Sequence, residues 1–328
     1  MLHTCVILLL ALQAPIPVLG GAGTNDLVGP DDLAGQVAPG DIRHPRQSRM
    51  PDRVDLVGGE LWRNLQSPLA TTQSESKMPP KRTRAEVEAV LKETPPSAAR
   101  PRALQVLLVA NPKDHGENEH DYPGWQKKWQ PLLAKVPQTA VSTAFPWPTA
   151  EQWSAADVAV LFLWGKWDEG QVKDIDAFLA RGGGLVLVHS AVIPLKEPLA
   201  LAARIGLAWE PGKTKYRHGA LEMEWSSHPL TAGLPKAKFV DESYWPLVGD
   251  VSKVQLLGTT VEEGAPRAMA WVFESGKGRV FGTLLGHYTW TFDDPYFRVL
   301  LLRGMAWTAK EPLDRFNSAV LDGATLSD

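Results

Sequence analysis

The sequence predicts an α/β protein built on a doubly wound, mainly parallel sheet with a β-rich insertion. Three observations carry that expectation. Apolar strand-like runs alternate with helical periodicity from Ala103 onward. Those runs are apolar at consecutive positions, as strands covered on both faces are. Beyond "EPLALAARIG" the pattern changes to short strand-like pieces with no helical period between them.

Taken in order, "ALQVLLVA" reads as a buried strand, followed by "PGWQKKWQPLLAKV", where Trp125, Trp129, Leu132 and Leu133 recur at helical spacing. "TAVSTAF" and "DVAVLFLW" are the next two strands. In "DEGQVKDIDAFLARGGG", Val172, Ile175, Phe178 and Leu179 form one helix face, and the glycines end it. "GLVLVHS" is the fourth strand. The insertion supplies "ALEMEW", "KFVDE", "KVQLLGTT" and "RAMAWVFES"; "GRVFGTLLG" then reads as a central strand. "DPYFRVLLLRGMAWTA" closes the domain as a helix with Pro295 in its first turn.

Around this domain, expected over residues 103–310, the organisation is simpler. Residues 1–20 read as a secretory leader, with an apolar run from Cys5 to Leu12 and small residues from Gly20 to Gly23. The run is too short to span a membrane. Export to the periplasm or the cell exterior is therefore expected, with no membrane segment once the leader is removed. Residues 21–102 are rich in Pro, Gly, Ser and Arg and read as a linker. A short helix over Thr83 to Thr94, capped by Thr83, is its one periodic stretch, a docking arm or surface helix. Residues 311–328 form a C-terminal tail.

Composition narrows the chemistry. A net charge of −3 provides no broad cationic surface for nucleic acid. The single cysteine, Cys5, lies in the leader, so the mature chain is expected to hold no disulfide, thiolate nucleophile or Cys-ligated zinc. The "GGG" at Gly182 to Gly184 precedes a strand, whereas a dinucleotide fingerprint follows one. Thirteen tryptophans are available for packing or as ring faces for a sugar.

In open α/β sheets ligands gather outside the carboxyl ends of the strands. After the first strand, Asp114, His115, Glu117, Glu119, His120 and Asp121 fall within eight residues. His189 and Ser190 follow the fourth strand, and "HYTWTFDD", from His287 to Asp294, follows the late central strand. A solvated acidic loop and a hydrogen-bonded core imidazole at His189 explain parts of this set equally well, and Asp294 reads as a helix cap. Two chemistries suit the remainder. His115, His120 and His287 with a carboxylate have the donor types for a divalent metal such as zinc. Neutral histidines beside carboxylates suit proton transfer. A carbohydrate fits either, its hydroxyls bonding the carboxylates and its ring lying on Trp125, Trp164, Trp167, Tyr244, Trp245, Tyr288 or Trp290.

"ARGGGLVLVHSAV", "SSHPLTAGLP", "FVDESYWPL" and "GKGRVFGTLLGHYTWTFDDPYF" resemble the ThuA-like, or trehalose-utilisation, family. "KDHGENEHDYPGWQ" is similar to the first-strand loop of its secreted planctomycete-type branch. The resemblance covers about residues 104–307. It implies a flavodoxin-like sheet of the class I glutamine amidotransferase-like superfamily. Where that superfamily places its elbow cysteine and a late His-x-Glu, this chain has His189–Ser190 and His287 with Thr289, so no glutaminase activity is expected. His287 is the better partner by resemblance should Ser190 act as a nucleophile.

The resemblance further implies action on, or binding of, a sugar or keto-sugar: isomerisation, eliminative cleavage or hydrolysis. His189, Ser190, His287 and Glu242 are the expected catalytic set. Asp114, Glu119, Asp241, Tyr244, Trp245, Tyr288, Trp290 and Asp293 are the expected ligand contacts, and His115, His120 and His287 the metal donors. A non-catalytic sugar-binding module and a Trp-rich interaction scaffold are the rival readings.

Overall fold

The computed structural model describes residues 78–328, except Pro80, Pro95, Ala99 and Asp328. The expected leader, and the linker as far as residue 77, lie outside the described residues. Among the described residues no helix is long and apolar enough to cross a membrane.

One nine-stranded sheet organises the chain. Strands β2 (Leu104–Val109), β3 (Thr139–Ala144), β4 (Val158–Phe162), β5 (Gly184–Val188) and β10 (Gly278–Thr283) run parallel in the order β3-β2-β4-β5-β10. Beyond β10 the sheet continues antiparallel through β9 (Ala265–Ser275), β8 (Gln255–Glu262), β6 (Lys215–Trp225) and β7 (Ala237–Trp245). The expectation of a mainly parallel sheet is corrected here. The β-rich insertion does not stand apart; it adds hydrogen-bonded strands to the free edge of β10 and makes the sheet mixed.

The central strands explain their own composition. Every residue of β4 and β5 is buried, because helices cover both faces. Four helices flank the parallel half: α2 (Tyr122–Ala134), α3 (Ala150–Ala155), α4 (Glu169–Ala180) and, after the last strand, α6 (Pro295–Thr308). The helix α5 (Pro198–Ile205) follows β5 and packs on β9 and β10. Helix α6 lies close to the sheet at Gly304, where an added Cβ would meet the Phe281 ring at 2.6 Å.

The arm before the domain is docked. Helix α1 (Arg84–Lys92) has the expected cap, with Thr83 and Glu86 forming a reciprocal capping box. Val87 and Val90 are buried. Arg303 of α6, itself buried, donates to the carbonyl oxygens of Val90, Leu230 and Ala232. At the other end, a short helix α7 (Asn317–Val320) leads to β11 (Leu326–Ser327), which pairs in parallel with β1 (Arg82–Thr83). The tail is thus held against the arm, and Arg298 fixes it by donating to the carbonyls of Val320, Asp322 and Gly323.

Candidate metal centre

Three loops at the carboxyl edge of the parallel strands bring three imidazoles together. His120 ends the loop after β2, His189 begins the turn after β5, and His287 lies just beyond β10. His120 and His287 are joined directly, the His120 N–H donating to the His287 carbonyl at 2.9 Å. Lys113 organises the first loop, its ammonium donating to the carbonyls of His115, Gly116 and Glu119. Asp241 organises the last. Its carboxylate accepts from the backbone N–H groups of Glu242, Gly286 and His287 and from the Thr291 hydroxyl. Gly286 has φ +127°, and a Cβ there would meet Val188 at 2.8 Å, so glycine is required where this loop turns.

The antiparallel half contributes from inside its strands. Glu242 and Tyr244 lie two apart on β7 and share one side of the strand. Directly across the ladder stand His218 and Tyr216 of β6.

His120 Nε2 and His189 Nε2 are 3.0 Å apart, and His189 Nε2 lies 3.2 Å from His287 Nδ1. Glu242 Oε2 is 3.1 Å from His189 Nε2 and 3.0 Å from His287 Nδ1. All four residues are buried. Metal–ligand bonds of about 2.0–2.1 Å in a tetrahedral zinc site imply donor separations of about 3.3 Å. The observed spacing is close to that value.

The Leu284 carbonyl, an acceptor only, fixes the tautomer of His189. His189 Nδ1 donates to the Leu284 carbonyl at 2.7 Å, leaving Nε2 as an acceptor. His120 Nδ1 lies 3.0 Å from Asp114 Oδ1 and 2.8 Å from the Tyr122 hydroxyl. His120 Nε2 stands 3.0 Å from the His189 Nε2 lone pair, which also meets the Tyr244 hydroxyl at 2.8 Å; a divalent ion would take up that lone pair. Each imidazole also has the outer partner that metal-bound histidines usually have. These are Asp114 for His120, the Leu284 carbonyl for His189, and Glu119, 3.6 Å from Nε2, for His287. The residues present fit a divalent ion.

The electrostatics divide the imidazoles: His120 is poised as a neutral ligand, whereas His287 holds a proton that an ion would have to displace. Burial pushes His120 down to about 3, so it is a neutral donor. Burial opposes charge on His287, yet the Glu242 carboxylate and the hydrogen bond to Glu119 raise it to about 9. Glu119 is drawn down to about 2, first by its hydrogen bond to His287. Burial works against ionisation of Glu242 and Asp114 as well, but facing histidines hold both well below the usual carboxylate range.

Backbone strain marks the same places. His120 (φ +43°) and His189 (φ +54°) are left-handed. Non-glycine residues held this way concentrate at functional sites. At the elbow after β5 it is His189, not Ser190, that occupies the strained position.

Other expected residues fall elsewhere. Ser190 is buried, donates to the Leu163 carbonyl at 3.1 Å and meets the Tyr122 hydroxyl at 3.0 Å. It is not paired with His287, whose nitrogens face Glu242, His189 and Glu119. His115 stands beside the four donors rather than among them. Its ring packs on His120 with centroids 3.7 Å apart, and its Nδ1 bonds Asp114. Tyr288 adjoins His287 and stacks on Trp290, whose N–H donates to Val240. Trp164 stacks over His115. Trp125 and Trp167 pack in the core, Trp167 donating to the Ala191 carbonyl. Trp245 is buried on the side of β7 opposite Glu242 and Tyr244. Asp293 pairs with Lys128 and Arg298, and Asp294 caps α6 as expected.

Two participants escaped the sequence reading. His218 reaches Glu242 Oε1 at 3.3 Å and the Tyr288 hydroxyl at 3.1 Å. Tyr122 joins Asp114, His120 and Ser190 through its hydroxyl. The alternation of Tyr216 and His218 ahead of "ALEMEW" was the available signal.

Fold and site together define an α/β protein with a buried histidine–carboxylate cluster at the carboxyl edge of its sheet. The sequence model of the ThuA family, described as trehalose utilisation, matches residues 138–308, just over half of the chain. The chain belongs to that family. Among solved structures it is similar to a ThuA-like protein from Parabacteroides merdae, with 20% identity over 63% of this chain and 90% of that one (TM-score 0.49). A ThuA-like protein from Bacteroides uniformis shows 16% identity over 68% and 99% (TM-score 0.47). A β-galactosidase from Rahnella sp. R3 matches at 14% over 65% of this chain and 32% of its own (TM-score 0.43). No curated protein matches the chain in sequence.

Proposed function

We propose that this ThuA-family protein is a metal-dependent enzyme of carbohydrate or keto-sugar chemistry. The observation that carries the metal is the set of four buried groups, three imidazoles and a carboxylate, whose ligand atoms converge at close to the spacing of a tetrahedral site. The substrate class rests on the family's description, trehalose utilisation. His120, His189, His287 and Glu242 would hold the ion. When bound, a divalent ion there supplies a Lewis acid for a carbonyl or hydroxyl oxygen, or acidifies a water.

The chain's own groups complete the chemistry. Asp114, Glu119 and the Leu284 carbonyl orient the imidazoles. His115, Glu119 and His218 are only partly covered and form the side from which a sugar approaches, beside Trp164 and Tyr288. Burial lowers His218, so at neutral pH it is an uncharged imidazole able to take a proton from a carbon beside a carbonyl. Glu119, held near 2, is a weaker base and is better placed to orient His287.

We further infer export of the chain, descent from the class I glutamine amidotransferase-like superfamily in its secreted planctomycete-type branch, and absence of glutaminase chemistry. The test is metal analysis of the purified chain, followed by a turnover screen with sugars and 3-keto-sugars, with and without chelator. Stoichiometric metal with chelator-sensitive turnover supports the reading. Metal-free protein that binds a sugar without turnover favours the non-catalytic module.

A further inference from the structure

Strand β7 is the outermost strand of the sheet, and it carries Glu242. Against it lies the segment 286–294, which carries His287. The two are joined at successive points along β7. The Asp241 carboxylate accepts from the N–H groups of Gly286 and His287 and from the Thr291 hydroxyl. The Trp290 indole donates to the Val240 carbonyl at 2.9 Å. The outermost attachment comes from neither segment. Arg82, in the arm before the domain, donates to the Lys238 carbonyl at 2.6 Å and pairs with Asp294 at 3.1 Å.

Arg82 is buried, its guanidinium lying 5.3 Å from the Phe239 ring of β7 and 4.8 Å from the Tyr296 ring of α6. Its own strand, β1, pairs with β11 of the tail, and Thr325, just before β11, donates to the Asp293 carbonyl at 2.8 Å. The arm and the tail therefore close on the same segment. A buried ion pair adds little net stability, because taking both charges out of water opposes their attraction. What such a pair can supply is geometry. The contacts at Asp241 and Val240 are neighbours in sequence and together make one point of attachment. Arg82 adds a second point at Lys238, two residues or about 7 Å further along the strand. One point leaves the segment free to pivot on β7, and two do not.

We propose that Arg82 is a positioning residue of the metal centre: by bridging β7 to Asp294 it fixes the Glu242 carboxylate relative to the His287 imidazole. The consequence for metal affinity rests on the metal reading above, whereas the effect on the two segments does not.

The test compares the full parent chain with Arg82→Met, which keeps an apolar stem beside the two rings and removes the donors. Thr83→Ala, which weakens the helix of the arm and leaves the bridge in place, is the control. Asp294→Asn, which can still cap α6, cuts the bridge from its other side should Arg82→Met not fold. Hydrogen exchange is followed by mass spectrometry on metal-free chains. Peptides holding the Glu242, Gly286 and His287 amides should exchange about two- to 30-fold faster in Arg82→Met, relative to peptides of β4 and β5, with no such change in Thr83→Ala. Zinc affinity, read by competition with a chelating dye, should fall over the same range in Arg82→Met and not in the control. Exchange that rises equally across the sheet, or not at all, overturns the proposal, and so does unchanged zinc affinity where the parent binds zinc. A parent that binds no zinc overturns the metal reading instead, and the exchange ratio then decides whether Arg82 positions the two segments.

Discussion

The two halves of the sheet build the site by different means. The parallel half delivers His120, His189 and His287 on loops beyond strand ends. The antiparallel half delivers Glu242, Tyr244 and His218 from positions inside β6 and β7, held by the ladder itself. Loop donors need separate anchoring, which Lys113, Asp241 and two left-handed histidines provide. Strand donors obtain theirs from register. A one-residue slip of β7 would turn Glu242 away and bring Asp241 or Ser243 to its place.

The largest effect should come from removing one donor from each half. His189→Ala and Glu242→Gln should each lower metal affinity by more than about 100-fold, beyond the range seen for outer partners. Metal content of the purified chain measures it. Retention of metal in Glu242→Gln would show that the antiparallel half only covers the site.

Core truncations probe whether the halves are one folding unit. Leu187→Ala in β5 and Leu221→Ala in β6 both empty fully buried positions and should each cost about 2–5 kcal/mol. Urea unfolding should show one transition displaced in both variants. A second transition appearing only in Leu221→Ala would mean that β6–β9 fold separately.

Asp114→Asn tests the anchoring of a loop donor. It leaves the four donors in place and should weaken metal binding about 10- to 100-fold, read by competition with a chelating dye. The smallest change lies outside both halves. Thr83→Ala removes the cap of α1 and should lower stability by about 1 kcal/mol in the same urea assay, with metal content unchanged.

The same contrast decides what could be read from the sequence. His189 and His287 stand out because an apolar run stops close to them, and His120 because it sits in a run of histidines and carboxylates after the first strand, so all three were legible before any coordinates. Glu242 was legible only through resemblance to the family, and Tyr244 only as one of several candidate ring faces. His218 was missed because "KYRHG" is too polar to read as strand; it becomes one by pairing with β7, a contact between residues far apart in sequence. The mixed character of the sheet was hidden for a similar reason. Short strands with turns between them fit a separate insertion and an extension of the main sheet equally well. The choice depends on which edge of β10 is left open. The partner of Ser190 could not be read, because resemblance pointed to His287 and the hydroxyl instead meets Tyr122 and the Leu163 carbonyl, both far away in sequence.

The left-handed backbone at His120 and His189 also bears on how this family diverges. An L-residue held there forgoes about 1–2 kcal/mol that glycine would recover. A change to glycine there would relax the turn and remove one of the proposed ligands. Lineages that still use the centre must keep rejecting that exchange. If the proposed metal is held there, lineages that have abandoned it are free to accept the change, and glycine or asparagine at these two positions would record its loss in a sequence with an otherwise intact fold.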